Sequence, residues 1–132
     1  MGRRPAAREQ AAAMAETDVS ERYESGVAMI RAGAYFEAHE ELELAWRAAT
    51  PQERDFFQGL VHVAVAWYQA GRGNPVGCRR QLEKAARRLG PYAPAHRRLD
   101  LALLLADVER ARATVERGSL ALDAPRLADA AL

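Results

Sequence analysis

His39 and Glu43 stand four residues apart, a spacing that places an imidazole and a carboxylate on adjacent turns of one helix face. If Tyr35 to Trp46 is helical, then Tyr35, Ala38, Leu42, Trp46 and Ala49 form one apolar stripe, with His39 inside it and Glu43 at its border. Glu37, Glu40, Glu41 and Arg47 point elsewhere. A titratable pair against a core can be a hydrogen-bonded lock, two ligands of a metal, or a proton relay. As a metal site it is short of donors, since zinc takes three or four protein ligands and non-haem iron two His and a carboxylate. The His-Glu-x-x-His reading fails because Glu43 occupies the second His position. Glu-x-x-His fails because Phe36, Gly59 and Ala93 precede the three histidines by three residues.

A third donor would come from His62, Gln58, Glu83, His96 or a second subunit, and the metal set to examine is His39, Glu43 and His62, with a divalent ion as cofactor. On the structural reading, His39 and Glu43 bond each other and a backbone group or Gln58 across a contact between two helices, and Trp46 fills core volume. Removing one partner of such a buried pair costs about 1–3 kcal/mol. This lock reading is placed ahead of metal. The polar pocket it implies is built by His39, Glu43, Trp46 and Gln58.

The elements that must hold these residues are helical. Ser20 is expected to cap a first helix over residues 21–32, with Tyr23, Val27 and Ile30 inside and Gly33 as the left-handed stop. The second helix carries the motif and ends near Ala49. Thr50-Pro51-Gln52-Glu53 combines a capping box with proline at the first helical position and starts the third. From Phe56 to Tyr68 apolar residues cover more than half of its circumference, which marks a central helix. Asp55, Gln58, His62 and Gln69 form its polar strip, and Gly59 and Ala66 allow a neighbour close. Asn74-Pro75 opens a fourth helix to about Leu89, with Cys78, Leu82, Ala85, Ala86 and Leu89 inside. Asp100 caps a fifth that stops at Gly118. Gly at the turns and a spacing near forty residues suggest tetratricopeptide-like hairpins. The expected fold is all-α, a compact bundle of about five antiparallel helices. Residues 1–18 read as a flexible leader, 19–118 as the helical domain and 119–132 as a C-terminal tail.

His39-Glu40-Glu41-Leu42-Glu43-Leu44-Ala45-Trp46 fits His-x-x-x-Glu-x-x-Trp. Phe36-Glu37-Ala38 stands before it, Arg54-Asp55-Phe56-Phe57-Gln58-Gly59-Leu60 after it, and Gly73-Asn74-Pro75 beyond. In these blocks the chain resembles a bacterial and archaeal family known as domain of unknown function three hundred and nine, over about residues 23–89. The resemblance implies an all-helical fold and metal binding at the motif, with His39, Glu43 and Trp46 as the motif positions. Cys78 stands where alanine is expected and His62 where glutamine is expected, so neither is carried over as a family ligand.

Composition narrows the classes. The 132 residues are 49% hydrophobic and 28% charged, and 19 Lys and Arg against 18 Asp and Glu leave +1. That balance supplies no global attraction to nucleic acid or an anionic bilayer. No run of about eighteen apolar residues is present to span one. The lone Cys78 forms no intrachain disulfide and points to a reducing, cytoplasmic setting; on the apolar stripe of its helix it reads as a buried structural thiol. Residues 72–98 hold eight basic residues against Glu83 alone, which leaves a basic helix face. A solvated face, or one complementary to the acidic helix of another copy in a homo-oligomer, is preferred there to nucleic-acid binding. The function expected is a helical binding or interaction module with a polar His/Glu pocket. A metal-binding protein or metal-dependent hydrolase-like enzyme centred on His39 and Glu43 is the alternative, and nucleic-acid binding the second.

Overall fold

The computed structural model describes residues 6–131. Among them five packed α-helices account for most of the chain: α1 (Ala7–Arg31), α2 (Tyr35–Ala48), α3 (Pro51–Gly71), α4 (Pro75–Leu89) and α5 (Leu101–Glu116). Among the described residues no helix is long and apolar enough to cross a membrane.

α1 corrects one expectation. Ser20 does not cap it; the helix begins at Ala7, and the Ser20 hydroxyl donates to Glu16 from mid-helix. The residues before Ser20 are mostly Ala, Glu, Gln, Met and Arg, strong helix formers that carry the helix through a residue which elsewhere would end it. Residues 7–18, read from sequence as a leader, are therefore helical, though burial starts only at Val19. Residues 1–5 lie outside the described part.

The other boundaries fall near their signals. Gly33 takes φ +77 after α1, and the Asn74 and Asp100 side chains accept from Gly77 N and Leu103 N to cap α4 and α5. Pro51 opens α3 as expected, but the capping box is not made: Thr50 caps nothing with its side chain.

α3 packs against both α2 and α4, burying Phe56, Phe57, Leu60, Val63 and Trp67. Two glycines set the approach distances. A Cβ on Gly26 of α1 would stand 2.5 Å from Leu42 Cγ, and one on Gly59 would stand 2.6 Å from the Leu89 side chain. Asp55 meets Arg88 and, two turns on, His62 meets Gln81, so the start of α3 lies beside the end of α4.

Between α4 and α5 the chain does more than turn. A 3₁₀ turn (Gly90–Tyr92) leads into a two-stranded antiparallel hairpin, β1 (Ala95–His96) with β2 (Leu99–Asp100), which the turn signals alone do not foretell. The segment after Gly118 returns to this hairpin. Asp100 N donates to Ala128 O and Ala130 N to Arg98 O, while Leu127 is buried. Asp107, only 5% exposed, anchors the return by accepting from the Arg126 backbone N–H at 2.8 Å and from its guanidinium at 2.7 Å. Burial alone would raise the Asp107 carboxyl, but the Arg126 hydrogen bonds outweigh it and hold the group below its ordinary value.

Candidate functional site

The motif helix delivers its residues to different surroundings. His39 sits on the second turn of α2, where its Nδ1–H donates to the Phe36 carbonyl at 2.8 Å. With Nδ1 engaged, Nε2 is the ring nitrogen left for another partner. It faces Glu43 Oε2 at 3.6 Å, too long for a hydrogen bond. Glu43 instead accepts from Arg47 at 2.8 Å. The side chains are 25% and 33% exposed, so the pair borders solvent and is not sealed in the core. Trp46 is half-buried against the core, and Gln58 on α3 is half-buried without a side-chain hydrogen bond among the described residues.

His62 goes another way. Its Nδ1–H donates to Gln81 Oε1 on α4 at 2.7 Å, and its Nε2 is buried without a partner. Burial pushes the imidazole below its ordinary value, and the cationic Arg88, Lys84 and Arg87 add to that against the Gln81 bond. Such a ring is held neutral. Among the described residues no group of three or more His, Cys, Asp or Glu side chains is arranged to hold a metal ion. His39 Nε2 and Glu43 thus supply two donors, and His62, bonded into the α3–α4 seam, is not a third.

What surrounds His39 is aromatic. A cleft of about 210 Å³ opens between the start of α2 and the end of α3, lined by Tyr35, Phe36, His39, Val65, Tyr68 and Gln69. Phe36 is 45% exposed, with ring centroids 5.1 Å from His39 and 5.4 Å from Tyr68. A second groove of about 360 Å³ adjoins it, sharing Tyr35, Phe36 and Tyr68 and lined also by Glu37 and Arg72. The polar ends are already satisfied: Arg72 donates to the Tyr68 hydroxyl and stacks over its ring, and Gln69 Oε1 accepts from Asn74. Burial pushes the Tyr35 phenol up, so it stays protonated. Among the described residues no Ser, Thr, Cys or carboxylate side chain lines the cleft around His39.

Phe36, Val65, Tyr68 and Gln69 are the site residues that sequence reasoning missed. One signal was present: Phe36 falls off the Ala38–Leu42–Ala45 buried stripe, and an aromatic outside the buried face is the informative exception. Cys78 is where it was expected, fully buried, its thiol pushed up by burial and so unreactive.

The third histidine joins a cluster that the sequence did not announce. Glu53, placed in a capping box by its spacing, accepts from His96 Nε2 and from Arg97 Nε at 3.0 Å. Arg97 also donates to Glu16 at 2.8 Å and lies over the Phe57 ring at 5.0 Å. These contacts tie the hairpin to α1 and α3.

Comparison with known proteins bears on the same region. No curated protein matches the chain. Residues 23–81 match the family model described as Domain of unknown function (DUF309), a span that begins at Tyr23, takes in all of α2 and α3 with the aromatic cleft, and ends inside α4. Over that segment the chain is similar to the DUF309 family.

Proposed function

We propose that this domain is a binding module that takes an apolar side chain of a partner polypeptide into the cleft between the start of α2 and the end of α3. The observation that carries this reading is Phe36, a large aromatic left 45% exposed beside Tyr68 and His39 at the mouth of two adjoining grooves. Exposed aromatic surface in a concave seam is what recognition anchors use. Two continuous grooves favour an extended segment over a compact metabolite. Glu37 and Arg72, which line the second groove, offer one charge of each sign to the flanking residues. His39 serves as a wall of the cleft, its ring fixed by the Phe36 carbonyl. The single buried Cys78 supports a reducing, cytoplasmic setting.

The test titrates N-acetyl-tryptophanamide and N-acetyl-leucinamide into the protein and follows the Val65 methyl resonances. Saturable shifts that Phe36→Ala removes are expected; no shift at about 10 mM probe, a weak-binding limit, refutes the reading.

A second reading has one observation behind it. The Nδ1–H bond of His39 to a carbonyl is the kind of contact that orients metal-ligating imidazoles, with Nε2 aimed toward Glu43. With two donors per chain, a metal would need a donor from elsewhere, such as a second copy. Zinc or manganese that leaves the melting temperature and the oligomeric state unchanged excludes this.

A further inference from the structure

A cavity of about 480 Å³ is bounded by α1, the β-hairpin and the returning C-terminal segment, and shares no residue with the aromatic cleft. Its volume falls within the roughly 300–1,000 Å³ of small-molecule sites. The hairpin turn at its edge is unusual. His96 pairs with Leu99, so Arg97 and Arg98 alone make the turn, and both adopt positive φ, +47 and +65. Two-residue turns of this geometry favour Asn-Gly, because a Cβ in the left-handed region is strained.

Arg97 has a reason to be there. It bridges Glu53 and Glu16 and lies over Phe57, which ties the hairpin to the bundle. Arg98 has none of these ties. Its side chain forms no ion pair and no hydrogen bond among the described residues, yet the turn holds it at the cavity's edge. Arg98 is exposed, so its guanidinium is free to meet an anionic group entering the cavity, at a turn position that glycine would serve with less strain.

The remaining lining says which ligand. Tyr23, Val27 and Leu99 give an apolar wall. Arg31 is already committed, its Nε–H to the Leu127 carbonyl at 2.6 Å and its NH2 to Asp129 at 3.5 Å. Glu24, across on α1, is exposed and forms no ion pair among the described residues. Burial pushes the Tyr23 phenol up to about 12, and its O–H donates to the Arg97 carbonyl, so it adds no charge. The uncommitted charges are therefore one cation, Arg98, and one anion, Glu24, beside an apolar wall.

We propose that this cavity binds a small zwitterion, an α-amino acid with an apolar side chain, its carboxylate on Arg98, its ammonium toward Glu24 and its side chain against Val27 and Leu99. A phosphate dianion would gain Arg98 but face the carboxylates of Glu24 and Asp129, which sets the two ligand classes apart.

The experiment is calorimetric titration of the full chain with L-leucine, 4-methylpentanoate, 3-methylbutylamine and inorganic phosphate. L-Leucine should bind at least ~10-fold tighter than each of the other three, the loss expected for one charge-assisted contact. Arg98→Gly should abolish leucine binding while leaving the melting temperature equal or higher, because glycine relieves the left-handed turn. Glu24→Gln should erase the preference for leucine over 4-methylpentanoate. No heat with leucine at about 10 mM, unchanged binding in Arg98→Gly, or phosphate binding as tight as leucine overturns the proposal.

Discussion

Replacing Glu43 by Gln separates a fold lock from the wall of a site, and the structure sets the size of the effect. A buried His–Glu pair stripped of one charge would lose about 1–3 kcal/mol. Here the His39 contact is 3.6 Å, beyond hydrogen-bond length, and both side chains touch solvent. What Glu43 does make is one i,i+4 ion pair to Arg47, whose own side chain is 66% exposed. Such pairs contribute about 0.3–0.5 kcal/mol, and glutamine keeps the stem and one acceptor. Glu43→Gln is therefore expected to cost about 0.5 kcal/mol, roughly 2 °C of melting temperature for a chain of this size.

Thermal and urea unfolding followed by far-UV circular dichroism measure it directly. A loss above about 1.5 kcal/mol, three times the ion-pair value, would refute the reasoning and restore the lock. Phe36→Ala belongs in the same experiment. It gives up aromatic pairing with Tyr68 and His39, worth about 0.5–1.5 kcal/mol, and should remove side-chain binding in the cleft, which Glu43→Gln should leave intact.

Other perturbations have signs that follow from single contacts. Gly59→Ala gains about 1 kcal/mol of helix propensity but drives a Cβ to 2.6 Å from the buried Leu89 side chain, an overpacking of about 1–3 kcal/mol; a net loss of about 1 kcal/mol is expected, and a rise in melting temperature counts against the close approach. Asp107→Asn removes the carboxylate that holds the Arg126 guanidinium and should cost about 2 kcal/mol. Because the Trp67 indole N–H donates to the Asp123 carbonyl in the same returning segment, tryptophan fluorescence should report its release. The imidazole of His62 is held below its ordinary 6.5 by burial, so between its folded value and 6.5 the unfolded chain binds more protons. Stability should fall as pH drops below about 6.5, and His62→Gln should flatten that slope. The Asp107 carboxyl is likewise held below 3.8, so its contribution is present above 3.8 and lost as pH falls below that value.

Helices α2 to α5 were legible because each carries its signals within a few residues: Gly33 at positive φ, Pro51 and Pro75 at first helical positions, Asn74 and Asp100 bonding the backbone three residues on. The start of α1 was misread for the opposite reason. Ser20 is a capping residue by type, and whether it caps depends on whether the residues before it can be helical, which an Ala-rich run can. The candidate site was half legible. Spacing placed His39 and Glu43 as neighbours correctly, but burial of that face was inferred from a stripe whose large aromatics, Tyr35 and Trp46, are only half-buried. With the edge of the stripe open to water, the polar pair loses its reason to lock the core, and Phe36 beside it becomes the informative residue.

Glu53 shows why the hairpin could not be read at all. Three residues after Thr50 its carboxylate has a local use, one bond back to the cap, and a distant one, His96 together with Arg97. The distant use engages both carboxylate oxygens, one by an imidazole and one by the charged Arg97 guanidinium, where the local use offers a single backbone N–H. Tertiary structure therefore takes the carboxylate, and the cap is left to Pro51, which has no N–H to satisfy. The hairpin that supplies those donors has two-residue strands and an Arg-Arg turn, neither of which carries the Asn-Gly signal of such turns. Its existence depends on Glu53, Glu16 and the returning segment at Ala128 and Ala130, partners that lie between about 30 and 80 residues away along the chain, beyond the reach of local turn signals. The cavity it closes, and the strained Arg98 at its edge, are thus products of long-range pairing that appear only once the chain is folded.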